Sequence, residues 1–131
     1  MQLRGHDLTG MDLSRSIFTN GYLEGTVFID AHLTGADLSG AKLTGADLTG
    51  ADLTNALLGN AILVEAVLVD AVLVHAGLGH ASLVDADVSG ALMSPAYAAY
   101  ADLTGVDLDS ARTEGLVTTG ALGAPPGPAE D

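Results

Sequence analysis

The sequence predicts an all-β fold, a closed solenoid in which short extended segments alternate with corners. Three observations carry that prediction. An apolar residue recurs at every fifth position from Leu3 to Leu108, 22 times in succession; 17 are Leu, and the others are Phe18, Phe28, Val88, Met93 and Ala98. Two residues before each of these centres lies a second repeat position, which is Ala fifteen times running from Ala31 to Ala101. Most units close on Thr or Ser followed by Gly, Asn or Asp, as in residues 36–55, ADLSG AKLTG ADLTG ADLTN.

A five-residue period excludes the two common alternatives. An α-helix turns about 100° per residue, so every fifth Leu would step about 140° around it and leave no apolar face. A flat strand needs strict alternation, and an odd period throws every second Leu to the opposite side. The pattern fits a short extended segment followed by a bend. Ala and Leu, two apart, point inward together, and the residue between them points outward. The two residues after Leu make the corner, where Gly and Asn tolerate positive φ. Such a repeat is quasi-one-dimensional, each coil resting on its neighbours.

These residues, Ala31 to Asn55 above all, closely resemble the pentapeptide-repeat family, whose units read Ala-Asp/Asn-Leu-x-x. The resemblance spans residues 1–110. It implies a right-handed quadrilateral parallel β-helix with four pentapeptides per coil, so that residues twenty apart stack. The 22 units then make about 5.5 coils, and degraded units centred on Thr113 and Thr118 extend this to about six. At ~4.8 Å per coil the rod is roughly 26 Å long. The expected organisation is a β-helix over residues 1–120 and a Pro/Gly-rich disordered tail over 121–131, ALGAPPGPAED.

Composition narrows the function classes. The net charge is −13, with 17 acidic residues against four Lys and Arg. Direct nucleic-acid binding, which rests on cations against phosphates, is disfavoured, and basic partners are favoured. There is no Cys, hence no disulfide or Cys-metal site. No stretch free of Asp, Glu, Lys and Arg exceeds the 15 residues of 115–129, so a transmembrane helix is not expected. The repeat begins at once, so no signal peptide is expected, and a cytoplasmic location is the default expectation.

Departures from the repeat mark candidate surfaces. Leu57, Ile62, Val64, Val67, Val69, Val72 and Val74 occupy outward or corner positions within one coil, and Val84 and Leu92 extend this apolar girdle. Contiguous exposed apolar surface usually marks an interface, so a protein partner or a homodimer is expected there, or alternatively at the rod ends. β-Branched residues chosen for extended backbone are the competing explanation. Asp7, Asp47, Asp87 and Asp107 share one outward column, with Asp30 and Asp70 at the adjoining corner, forming an acidic stripe. The same carboxylates could instead serve their own turns.

Residues 93–100, MSPAYAAY, are the weakest units, and a bulge with a tyrosine folded over the small Ala98 is expected. His32 falls between Asp12 and Asp52 as a surface charge pair. His75 and His80 lie on successive corners and should not converge, so no metal, cofactor or catalytic site is expected. The reading is a non-enzymatic interaction or scaffold module with an acidic surface. The resemblance implies DNA gyrase or topoisomerase IV as the most specific partner. It also implies one alternative, a DNA mimic conferring quinolone resistance or toxin immunity; a ligand-binding or enzymatic surface using residues 57–100, with Tyr97, Tyr100, His75 and His80, is the other.

Overall fold

Each five-residue unit bends at the same place. The carbonyl of the centre residue accepts the N–H three residues on, as in Thr26 N–H to Leu23 O at 3.1 Å and Ala31 N–H to Phe28 O at 3.0 Å. The fifth residue of the unit is left-handed, with φ of 65° at Gly25, 56° at Asp30 and 61° at Asn55. Positive φ at the third residue of such a turn is what type II turns require, and it explains the Gly, Asn and Asp of the repeat. In the computed structural model, which describes residues 1–124, the same left-handed corner recurs at every fifth residue from Gly5 to Gly120 except Pro95 and Ser110.

Between corners, the coils join through parallel bridges, and every bridge links residues twenty apart, from Gln2 with Tyr22 to Asp102 with Leu122. Four units therefore make one turn. Each coil contributes one bridging residue per face, because the next corner interrupts the strand. The centre N–H donates to the following coil, as Leu23 N–H to Lys42 O at 2.8 Å, and the outward residue donates to the preceding coil, as Lys42 N–H to Gly21 O at 2.9 Å. The outward residues define four faces. Face 1 carries the Gln2–Tyr22–Lys42–Ile62–Ser82–Asp102 column, face 2 begins at Asp7, face 3 at Asp12 and face 4 at Ile17. Faces 2 and 4 are opposite.

The inward columns form the core. Every Ala at the second repeat position, from Ala31 to Ala101, and every centre residue from Phe18 to Leu103 is buried. Ala98 is buried too, and Tyr97 bridges both Gly77 and Val117. No bulge opens around Ala98, where the backbone ladder holds the coil although the side chain is small, but the corner at Ser94–Pro95 does depart from the repeat: its peptide bond is cis, and His75 N–H donates to Pro95 O, one residue further on than at the neighbouring corners. Thr26 takes an Ala position and is buried, its hydroxyl donating to Leu3 O at 2.7 Å. Phe18 and Phe28 meet edge to face, their centroids 6.2 Å apart. Phe18 closes the first coil, whose Leu3, Leu8 and Leu13 are only half-buried, against Phe28 of the second.

A larger departure from regularity lies two units beyond residue 100. Residues Leu108–Ser110 form a 3-10 turn, and the Asp107 carboxylate accepts from Asp109 N–H. The step from Asp87 to Asp107 is missing from the bridge series among the described residues. Leu108 is consequently half-buried rather than a core centre. The unit ends in Ser rather than a residue suited to positive φ, and an Asp at its outward position offers the backbone a competing bond. The coil also outlasts residue 120: Leu122 N–H donates to Ala101 O at 2.9 Å, and Ala121 packs on the core. Residues 121–124 thus belong to the rod rather than to a tail, and the rest of the expected tail lies outside the described residues.

Candidate interaction surfaces

The outward surface decides what the rod can touch. The nine girdle residues do not form one patch. Leu57 lies on face 4, Ile62 on face 1, Val67 on face 2, and Val72 and Leu92 are bridged on face 3. Val64, Val69 and Val74 occupy three different corners. Only Leu57 and Ile62 are exposed; the others are half-buried between neighbouring coils. A belt around all four sides cannot meet one flat partner.

Exposed apolar side chains instead line up lengthwise on face 4. Its column reads Ile17, Asp37, Leu57, Gly77, Tyr97, Val117. Ile17 is 71% exposed, Leu57 52%, Tyr97 46% and Val117 38%. Tyr100 stands exposed at the edge of this face. The sequence reading missed Ile17 and Val117; the available signal was apolar residues forty and sixty apart in an outward phase. Tyr97 and Tyr100 do not cover Ala98. They stack on the preceding coil, Tyr97 on His75 with centroids 6.5 Å apart and Tyr100 on His80 at 5.2 Å.

The acidic residues gather on the opposite side. Asp7, Asp47 and Asp87 share the face 2 column with Val27 and Val67 between them. Asp107 begins the 3-10 turn and is not bridged to Asp87. Each of these carboxylates also serves its own turn: Asp47 accepts Thr49 N–H at 3.0 Å and Thr49 hydroxyl at 2.6 Å, and Asp87 binds Ser89 in the same way. At the next corner Asp30 and Asp70 alternate with Gly50 and Gly90. A Cβ at either glycine would collide with the carboxylate of the coil before. Local structure thus accounts for where the acids stand, while their charge faces solvent.

His32 is bridged between Asp12 and Asp52. The one side-chain ion pair among the described residues is nevertheless Arg4 with Glu24, at 3.1 Å. Arg4 and Lys42 also each sit 4.7 Å from the Tyr22 ring centroid on face 1. No group of three His, Asp or Glu that could hold a metal occurs among the described residues, and no helix there is long and apolar enough to cross a membrane. An open depression of about 330 Å³ at the C-terminal end is lined by Val106, Leu108, Gly123 and the two aspartates of the 3-10 turn.

The turn bonds hold several carboxyls below the usual range. Asp7, Asp87 and Asp102 are lowered chiefly by the hydroxyl of the Thr or Ser two residues on, then by its N–H. Asp12 follows suit through Ser14, with His32 a lesser cause, and in Asp37 the Ser39 N–H leads. A lowered folded pKa means stability present above the unfolded value of about 3.9 and lost as pH falls through the folded values. The melting temperature in ~1 M salt, where net repulsion is screened to about 3 Å, is expected to hold from pH 7 to 5 and fall below pH 4. A rise on acidification under those conditions would contradict this.

Among the described residues, a rod with an apolar core and parallel bridges between residues twenty apart is a parallel-solenoid repeat protein. The family model for pentapeptide repeats (8 copies) matches residues 12–50, 22–60 and 51–90, more than half of the chain. The chain belongs to the pentapeptide-repeat family. Among solved structures it is similar to the pentapeptide repeat protein Rfr23 from the cyanobacterium Cyanothece 51142, at 27% identity and a TM-score of 0.68, covering 92% of this chain and 90% of that one. HetL, involved in heterocyst differentiation regulation in Nostoc sp. strain PCC 7120, is 25% identical over 94% of this chain and 85% of its own, at a TM-score of 0.44. QnrB1, a plasmid-mediated fluoroquinolone resistance protein, is 19% identical over 93% and 91%, at 0.45. The last two scores are too low to support inference. No curated protein matches the chain significantly.

Proposed function

We propose that this chain is a non-enzymatic protein-interaction module that engages a basic partner through face 2. The observation that carries the reading is the division of the surface. Face 2 and its corners gather Asp7, Asp47, Asp87, Glu24, Glu65, Asp85, Asp30 and Asp70 against one cation, Arg4, whereas, among the described residues, face 4 and its corners hold only Asp37 and Glu114 with Arg15. The interior is packed with Ala and Leu and offers no chamber for a substrate. The right hand of the coil and a cytoplasmic location belong to the same proposal.

The most specific candidate partner is a type II topoisomerase, DNA gyrase or topoisomerase IV, whose DNA-binding surface must be basic. The DNA-mimic reading gains from the acidic face and loses from length. Six coils at ~4.8 Å give about 29 Å, roughly 8 base pairs at the ~3.4 Å step of a strand.

Gyrase supercoiling with and without a quinolone tests the target. The chain at micromolar concentration is expected to inhibit supercoiling or protect against the drug. Asp47→Asn with Asp87→Asn should weaken the effect several-fold, since Asn keeps the turn-capping acceptor and removes the charge. Neither inhibition nor protection by the wild type would overturn the topoisomerase target.

A further inference from the structure

We propose that face 4 is a self-association surface on which two copies of this chain pack with their rods antiparallel. The column is its own complement when read backwards. In an antiparallel pair related by a two-fold axis at the middle of the face, Leu57 of each copy lies opposite Gly77 of the other, a protruding side chain against a position with none. Tyr97, with a hydroxyl to donate, lies opposite the Asp37 carboxylate. Ile17 lies opposite Val117. At the corner shared with face 3, Ser14 and Arg15 lie opposite Glu114, so a cation meets an anion.

Four exposed positions thus find partners matched in size or charge through one symmetry operation. An isologous two-fold interface demands that kind of self-complementarity. A parallel pair would set Leu57 against Leu57, Asp37 against Asp37 and Arg15 along the wrong corner, and gains none of these matches. Charge supports the same choice. A chain of net charge −13 repels its copy, and face 4 is the side remote from the acidic column, so the pair meets where repulsion is least and leaves both acidic faces outward. One face of a rod about 29 Å long is small beside the roughly 800 Å² per partner of standard interfaces, so the association belongs in the micromolar range. The proposal is independent of the topoisomerase target, which face 2 would meet.

The experiment is light scattering and sedimentation of the full chain up to about 200 μM, joined to cross-linking. The wild type is expected to approach twice the 13.1 kDa chain mass. Leu57→Asp, at an exposed site, should raise the dissociation constant about tenfold or more. Arg15→Glu should raise it about threefold, and the double exchange Arg15→Glu with Glu114→Arg should restore it to within about twofold. Because the chain has no Cys, mild oxidation of Ile17→Cys with Val117→Cys in one chain should yield a covalent dimer. These two positions lie five coils apart and cannot join within a chain, and neither single variant should cross-link. A wild type that stays monomeric at 200 μM overturns the proposal. So does equal cross-linking by Ile17→Cys alone, which marks a parallel pair, or an exchange that fails to restore association while melting temperatures are unchanged.

Discussion

Leu58→Asp is expected to abolish the folded rod at 25 °C, lowering stability by more than ~4 kcal/mol. Leu58 is 1% exposed and stacks in the inward column between Leu38 and Leu78, twenty residues to either side. A carboxylate there has no donor within the apolar column, and each coil is held by its two neighbours alone, so the fault cannot be absorbed elsewhere. Leu57→Asp is the control. One residue away, Leu57 points outward and is 52% exposed, and the same change should cost less than ~0.5 kcal/mol of folding. Urea unfolding followed by circular dichroism compares the two; similar midpoints would refute the inward and outward assignment.

Phe28→Ala should destabilise by about 3–5 kcal/mol. Phe28 is fully buried and meets Phe18 edge to face, and the pair joins the second coil to a first coil that is itself half-open. The loss should appear first at that end. Amide exchange of Leu8, Leu13 and Phe18, which donate to the coil containing Phe28, should quicken by more than that of Leu58 or Leu63. Removing both rings should cost less than the two single changes added together, by about 0.5–1.5 kcal/mol, since each ring is the other's partner. Uniform quickening along the chain would contradict the local character of the effect.

The repeat made most of the architecture legible before any coordinates. Ala and Leu inward, a polar residue between them and a left-handed fifth residue all follow from side-chain direction and turn chemistry within five residues, and all appear in the structure. The turn at Leu108–Ser110 was less legible, since the apolar phase runs through it unchanged; only the Ser at the corner and the Asp two residues after Asp107 signal that a helical turn competes. The acidic stripe was half legible. Its residues were named, but their bonds to Thr49 and Ser89 depend on turn geometry.

The candidate surface was the least legible part. Neighbours along the chain, from Leu57 to Val74, suggested a girdle, yet successive units face successive sides of the rod. Ile17, Leu57, Tyr97 and Val117, which share a face, are separated by twenty to forty residues. By itself the sequence determined the inward phase, the corners and the net charge, because each is a property of one five-residue unit or of their sum. The five-residue unit does not by itself decide which outward residues are neighbours; the resemblance implied it, and the tertiary structure shows it in the bridges between residues twenty apart. That depends on how many corners close one coil, a condition set by the bonding of one coil to the next, twenty residues away.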